Sequence, residues 1–141
     1  MYLPAVGGQP RGLWIAPTAQ PAPAGAALEP ALWAWSEVQS GIATLTAPLV
    51  EAFVPQMLNY ESVGGVSFKK GCYPGQEIVA RAHYRGAVKR HLAVVVLHAN
   101  DKPALGADTD LADGRSAQIC NVAANPAREG EYMALVVAGE N

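Results

Sequence analysis

The sequence predicts an α+β chain: helices and extended segments first, then a small antiparallel β-barrel or sheet at the C-terminal end. Three observations carry this prediction. Leu28 to Ser40 places apolar residues near one helical face. Gln76 to Arg85 is rich in helix formers and meets a stop at Gly86. Beyond Arg90, apolar runs of strand length alternate with turn signals.

Met1 to Gly25 is rich in Pro, Gly and Ala, and only Gly12-Leu13-Trp14-Ile15-Ala16 reads as a short strand. Thr18 to Ala27 is a Pro/Ala-rich linker. In the first helix Leu28, Leu32, Trp35, Val38 and Ile42 share a face, Glu29 and Pro30 suit the first turn, and Gly41 suits the stop. Trp33 and Trp35 cannot face the same way: one is expected in the core, and the other either meets a partner surface or a domain outside this chain or is a partly exposed aromatic. Pro48 and Pro55 argue for extended structure from Thr44 to Asn59, with at most a short helix around Val50 to Phe53. Within that stretch Gln56 and Asn59 either meet a ligand or cap local backbone, and capping suits their residue types better. Gly64-Gly65 is a turn, and Val66-Ser67-Phe68 a short strand.

Four strands are expected after that. Leu92 to Leu97 is a continuous apolar run, which predicts a strand buried on both faces. Asp113-Gly114, between Thr109-Asp110-Leu111 and Ala117 to Val122, is a hairpin signal, and Tyr132 to Val137 is the last strand. Short turns between four strands predict a small barrel or sheet. The chain therefore divides at residues 1–27, 28–87 and 88–141. Cys120 lies in strand phase with Gln118 and Val122 and reads as an inert core residue.

At 141 residues the chain can bury a real core. Its formal charge of −2 gives no electrostatic footprint for broad phosphate-backbone binding, so nucleic acid is not the expected partner. The basic residues nevertheless cluster: Lys69, Lys70, Arg81, Arg85, Lys89 and Arg90 are more than half of the total of ten. Cys72 and Cys120 lack metal-site spacing, and His83, His91 and His98 form no ligand pattern, so no metal site is predicted. No apolar run approaches a membrane span, and Met1-Tyr2-Leu3-Pro4 lacks the regions of a secretory signal, which points to a cytoplasmic protein.

One stretch concentrates the chemistry: Phe68-Lys69-Lys70-Gly71-Cys72-Tyr73-Pro74-Gly75-Gln76-Glu77. Gly71, Pro74 and Gly75 break regular structure and leave Cys72 on a tight turn, with Pro74 suited to the first turn of the helix that follows. Glu77 and Arg81 stand at i,i+4 in the favourable order. The helix dipole with Lys69 and Lys70 favours thiolate over thiol at Cys72. The alternative is that Cys72 is a small buried hydrophobe.

Lys70-Gly71-Cys72-Tyr73, then Pro74, then Gly75-Gln76-Glu77 resembles the K-G-C-Y-x-G-Q-E signature of the YgfZ family, folate-binding relatives of the glycine-cleavage aminomethyltransferase (T-protein). The resemblance extends from about Trp33 to Leu92, through Phe53-Val54-Pro55-Gln56-Met57-Leu58-Asn59, Gly64 to Lys69, and Gly86 with Lys89-Arg90. It implies a T-protein-like middle region and a C-terminal β-barrel. Because the family's proteins are longer, it also implies that this chain is a C-terminal portion, with residues 1–27 the remnant of an incomplete α/β domain whose orphan strand must pair, fold back or fray.

The resemblance implies a folate-dependent accessory factor in iron–sulfur cluster assembly or repair, supporting cluster enzymes such as those that modify tRNA. In that role Cys72 is the reactive or cluster-contacting thiol and Lys70 holds it electrostatically. Tyr73 and Gln76 offer polar contacts, Gly71 and Gly75 permit the turn, and Glu77 with Arg81 braces the helix. Tetrahydrofolate or a derivative is the implied cofactor, with most of its cavity outside this chain. A cluster is at most transient, and iron–sulfur assembly or client proteins are the implied partners. Two alternatives stand: a tetrahydrofolate-dependent aminomethyltransferase, which needs a pterin cavity and a carboxylate not visible here, and a non-catalytic binding module.

Overall fold

The computed structural model describes residues 1–86 and 88–140. Strands β1 (Tyr2–Val6) and β2 (Gln9–Gly12) form an antiparallel hairpin. Gly7 and Gly8 turn it with φ of 56° and 76°, the positive values that a two-residue primed turn requires. Met1 and Leu13 close its open end with reciprocal bonds of 2.9 and 2.8 Å. The strand expected at Gly12 to Ala16 is thus corrected to an earlier position, with only Gly12 inside it.

Helix α1 (Pro30–Gln39) has Glu29 as N-cap and Pro30 in its first turn, and Gly41 leaves it at φ 71°. Trp35 packs against the core. Trp33 faces the hairpin instead, with the Arg11 guanidinium 4.8 Å from its ring centroid. Arg11 also pairs with Glu37 and donates to the Ser36 carbonyl at 3.2 Å, which fastens the hairpin to α1.

Between α1 and the signature the chain is held by single bonds rather than regular structure. The expected short helix around Val50 to Phe53 is corrected to a 3₁₀ turn at Ala47–Leu49, started early by Pro48 and ended by the extended backbone of Val50. The Tyr60 hydroxyl donates to the Ala43 carbonyl at 2.6 Å, and burial raises its pKa, with the Cys120 thiol adding to the shift. Val66 to Phe68 is irregular rather than a strand, since among the described residues it has no ladder partner.

Helix α2 (Gln76–Arg85) ends at Gly86, as the sequence predicts. Four strands follow: β3 (Arg90–His98), β4 (Asp108–Asp110), β5 (Ser116–Ala124) and β6 (Glu131–Gly139), antiparallel in the order β3-β6-β5-β4. The α+β expectation holds. Central β6 is buried on both faces: Leu135 and Val137 join α1, Leu49 and Leu58 in one core, while Ala134, Val136 and Ala138 join Ile119 and Val122 in another. Residues of β3 and of the β4 hairpin line one cavity of about 450 Å³, so the sheet curls until its edges face each other.

Two details of the sheet differ from expectation. The run Leu92 to Leu97 is an edge strand, with Val94 and Val96 48% and 51% exposed, because β6 takes the central position. A register shift between Ile119 and Asn121 inserts Cys120 as an extra residue. Cys120 therefore joins the core of Leu135 rather than that of Val122. It is fully buried, and burial pushes its thiol up to about 11, in keeping with an inert core residue. The boundary expected at residue 87 lies outside the described residues.

Candidate functional site

The signature turn is built by its own backbone and one side chain. Gly75 is the N-cap of α2 at φ 79°, a left-handed conformation that glycine adopts without strain. Gln76 folds its side chain back, so that the Tyr73 amide donates to Gln76 Oε1 at 3.2 Å, while the Gln76 amide donates to the Tyr73 carbonyl at 3.3 Å. Pro74 lies in this turn, before the cap, and not in the first helical turn. Cys72 leads into it and is exposed, so the buried-hydrophobe reading does not hold.

Lys70 does not stand free beside the thiol. Its Nζ lies 4.5 Å from the centroid of the Tyr73 ring, a cation–π contact across the turn. Lys70, Tyr73, Gln76 and Glu77 line one groove of about 240 Å³ with Phe68 and Tyr84, and Cys72 is outside that lining. Gly75 supplies the turn, whereas Gly71 lies ahead of it without a positive φ. Arg81 lines an adjoining recess, and among the described residues no ion pair joins it to Glu77.

What fixes α2, and with it the turn, is a polar chain beneath the helix. Gln56 is 7% exposed, and its Nε2 donates to the Val79 carbonyl at 2.9 Å and to Glu61 Oε1 at 2.7 Å. Glu61 Oε2 meets His83 Nδ1 at 2.9 Å, and the His83 ring stacks on Phe68 at 4.1 Å. Phe68, just ahead of the signature, is thereby pressed onto α2. Asn59, at φ 56°, donates from Nδ2 to the Leu92 carbonyl at 3.0 Å and ties the same segment to β3. Gln56 and Asn59 thus bond backbone, the role their residue types favoured. They do so across elements rather than locally.

Sequence reasoning missed Glu61 and His83. A signal for them existed only in three dimensions, because 22 residues separate the pair. Gln56, Asn59, Glu61, His83, His91 and Glu140 line a further open cavity of about 530 Å³ on the other side of the helix. His91 Nε2 approaches Glu140 Oε1 at 3.3 Å there.

The groove beside the signature fits neither implied group by itself. The groove beside the signature is smaller than the roughly 300–1,000 Å³ of sites that enclose a drug-sized ligand, so it cannot enclose a folate. Among the described residues no three His, Cys, Asp or Glu side chains converge to hold a metal ion. Cys72 is a single exposed thiol. No helix among the described residues is long and apolar enough to cross a membrane.

No protein-family model matches the chain. It is 42% identical over 86 residues to tRNA-modifying protein YgfZ of Cronobacter sakazakii (strain ATCC BAA-894). The match covers 61% of this chain and 26% of that protein, so the chain spans about a quarter of the relative's length.

Proposed function

With its resemblance to a C-terminal portion of the YgfZ family borne out, we propose that this chain contributes the reactive thiol of an accessory factor that supports tRNA modification by sustaining iron–sulfur enzymes. The observation that carries the reading is the exposed Cys72 at a turn fixed by Gly75 and the folded-back Gln76. A thiolate is what cluster handling and thiol exchange both require. The cluster in this reading is cargo: Cys72 supplies one ligand, and assembly or client proteins supply the rest. Tetrahydrofolate dependence is proposed for the whole protein, through residues outside this chain. The protein is proposed to act in the cytoplasm.

The arrangement divides labour among the signature residues. Gly75 lets the chain turn, Gln76 locks the turn, and Lys70 with Tyr73 braces its outer side. Glu77 and Arg81 project from α2 as exposed charges. The test is rescue of client iron–sulfur enzyme activity in cells lacking the protein. The native gene restores it and a Cys72→Ala gene does not. Robust aminomethyl transfer by the protein, indifferent to Cys72→Ala, would sink the reading in favour of a transferase.

A further inference from the structure

The groove beside the signature continues into a second recess, and the two share Ala80 and Tyr84. One has Phe68, Tyr73 and Lys70 on its walls; the other, about 260 Å³, has Arg81 and Arg85. Tyr84 is 71% exposed at their junction. Its aromatic neighbours stand steeply to it, Phe68 at 64° and His83 at 87°, so among the described residues no ring stacks parallel to it. Phe68 is 38% exposed, with His83 stacked on it. Lys70, Arg81 and Arg85 form no ion pair among the described residues, and Glu77 is the one acid in either lining.

An exposed aromatic ring flanked by cations outside any ion pair fits a planar ring that carries a phosphate. Base stacking on aromatic side chains with cationic contacts to the backbone is how single-stranded nucleic acid is held. The net charge of −2 speaks against a long phosphate track. It does not speak against a site for one or two nucleotides. We propose that this surface binds an unpaired nucleotide of an RNA strand, its base stacked on Tyr84 and its phosphates met by Arg81, Arg85 and Lys70. The choice of RNA over a free nucleotide rests on the tRNA-related reading above. The groove's size agrees, because it accommodates one ring system rather than a duplex.

The experiment is fluorescence anisotropy of a labelled single-stranded RNA decamer with the full chain, at about 50 mM salt so that phosphate contacts are visible. Saturable binding is expected, weakened about tenfold by Tyr84→Ala, as for the loss of one stacked base. Since Tyr84 also touches Phe68 and His83, Arg81→Gln provides a second test on an exposed residue. It should weaken binding and lower the salt slope by about one. Lys102→Ala, on another face, removes a charge and should change nothing. The same sequence as a duplex should bind about tenfold more weakly, its bases being internally stacked. Equal binding of duplex, or indifference to both Tyr84→Ala and Arg81→Gln, overturns the proposal. Displacement by AMP at matched nucleotide concentration overturns the RNA assignment. None of these failures touches the Cys72 reading, which is judged by client-enzyme rescue.

Discussion

Replacing Gln56 with leucine tests whether the signature helix is held from beneath. The glutamine Nε2 donates at 2.9 Å to the Val79 carbonyl and at 2.7 Å to Glu61 Oε1. Leucine keeps the volume and removes both bonds. The neutral bond is worth about 1 kcal/mol and the one to a carboxylate about 2 kcal/mol. Two effects reduce that sum. Gln56 Oε1 is itself buried without a partner, and its loss returns about 1 kcal/mol. The Val79 carbonyl lies within α2 and keeps a helical acceptor role. A net destabilisation of about 2 kcal/mol follows, measurable as a lower urea midpoint at unchanged m-value. Amide exchange should place the loss, with protection of the α2 amides falling about thirtyfold. A change below about 0.5 kcal/mol with α2 protection unaltered would refute the idea that this amide anchors the helix.

Three further outcomes follow from the same contacts. A thiol reagent should modify Cys72 in the folded chain and reach Cys120 only on unfolding, because one is exposed and the other fully buried. Equal rates for the two would contradict the burial. Stability should fall as pH rises from about 9 toward 11. The Cys120 thiol has a folded pKa raised above its ordinary 9.0 to about 11, so only the unfolded chain gives up that proton in between. Tyr60, raised by burial, acts in the same direction from its ordinary 10.0 upward, and Cys120→Val should flatten the first part of the decline. Asn121→Ala should cost about 1–2 kcal/mol in a denaturant titration, since its side chain both donates to and accepts from the Thr44 backbone, at 3.0 and 2.9 Å. A loss confined to a few tenths would show that this bridge is replaced by water.

The parts of the fold legible in the sequence were those with local causes. Gln76 to Arg85 closed by Gly86, the Asp113-Gly114 hairpin and the last strand all rest on propensity and turn chemistry within a few residues. The N-terminal hairpin had a local signal too, Gly7-Gly8, obscured by Pro4 and Pro10. Those prolines are tolerable because a two-stranded ribbon leaves one edge of each strand free. The exposure of Val94 and Val96 was not legible, because an apolar run does not say which strand will take the central place. The bulge at Cys120 was hidden for a similar reason: strand period assumes an unbroken register.

At the site, the turn residues and the exposed cysteine are written in consecutive positions. The Gln56–Glu61–His83–Phe68 chain is not, since it joins segments that only tertiary packing brings together. Val66 to Phe68 illustrates the difference. Its residues favour a strand, but the stacking of Phe68 on His83 places it against a helix.

The most direct measurement of the central claim is mass spectrometry of cluster-dependent modified nucleosides in tRNA, in cells whose only copy of the gene carries one cysteine change. Cys72→Ser should lower those nucleosides toward the level of the gene deletion, and Cys120→Val should leave them near the native level. Native modification with Cys72→Ser, in cells where the deletion abolishes it, contradicts the role assigned to the signature thiol.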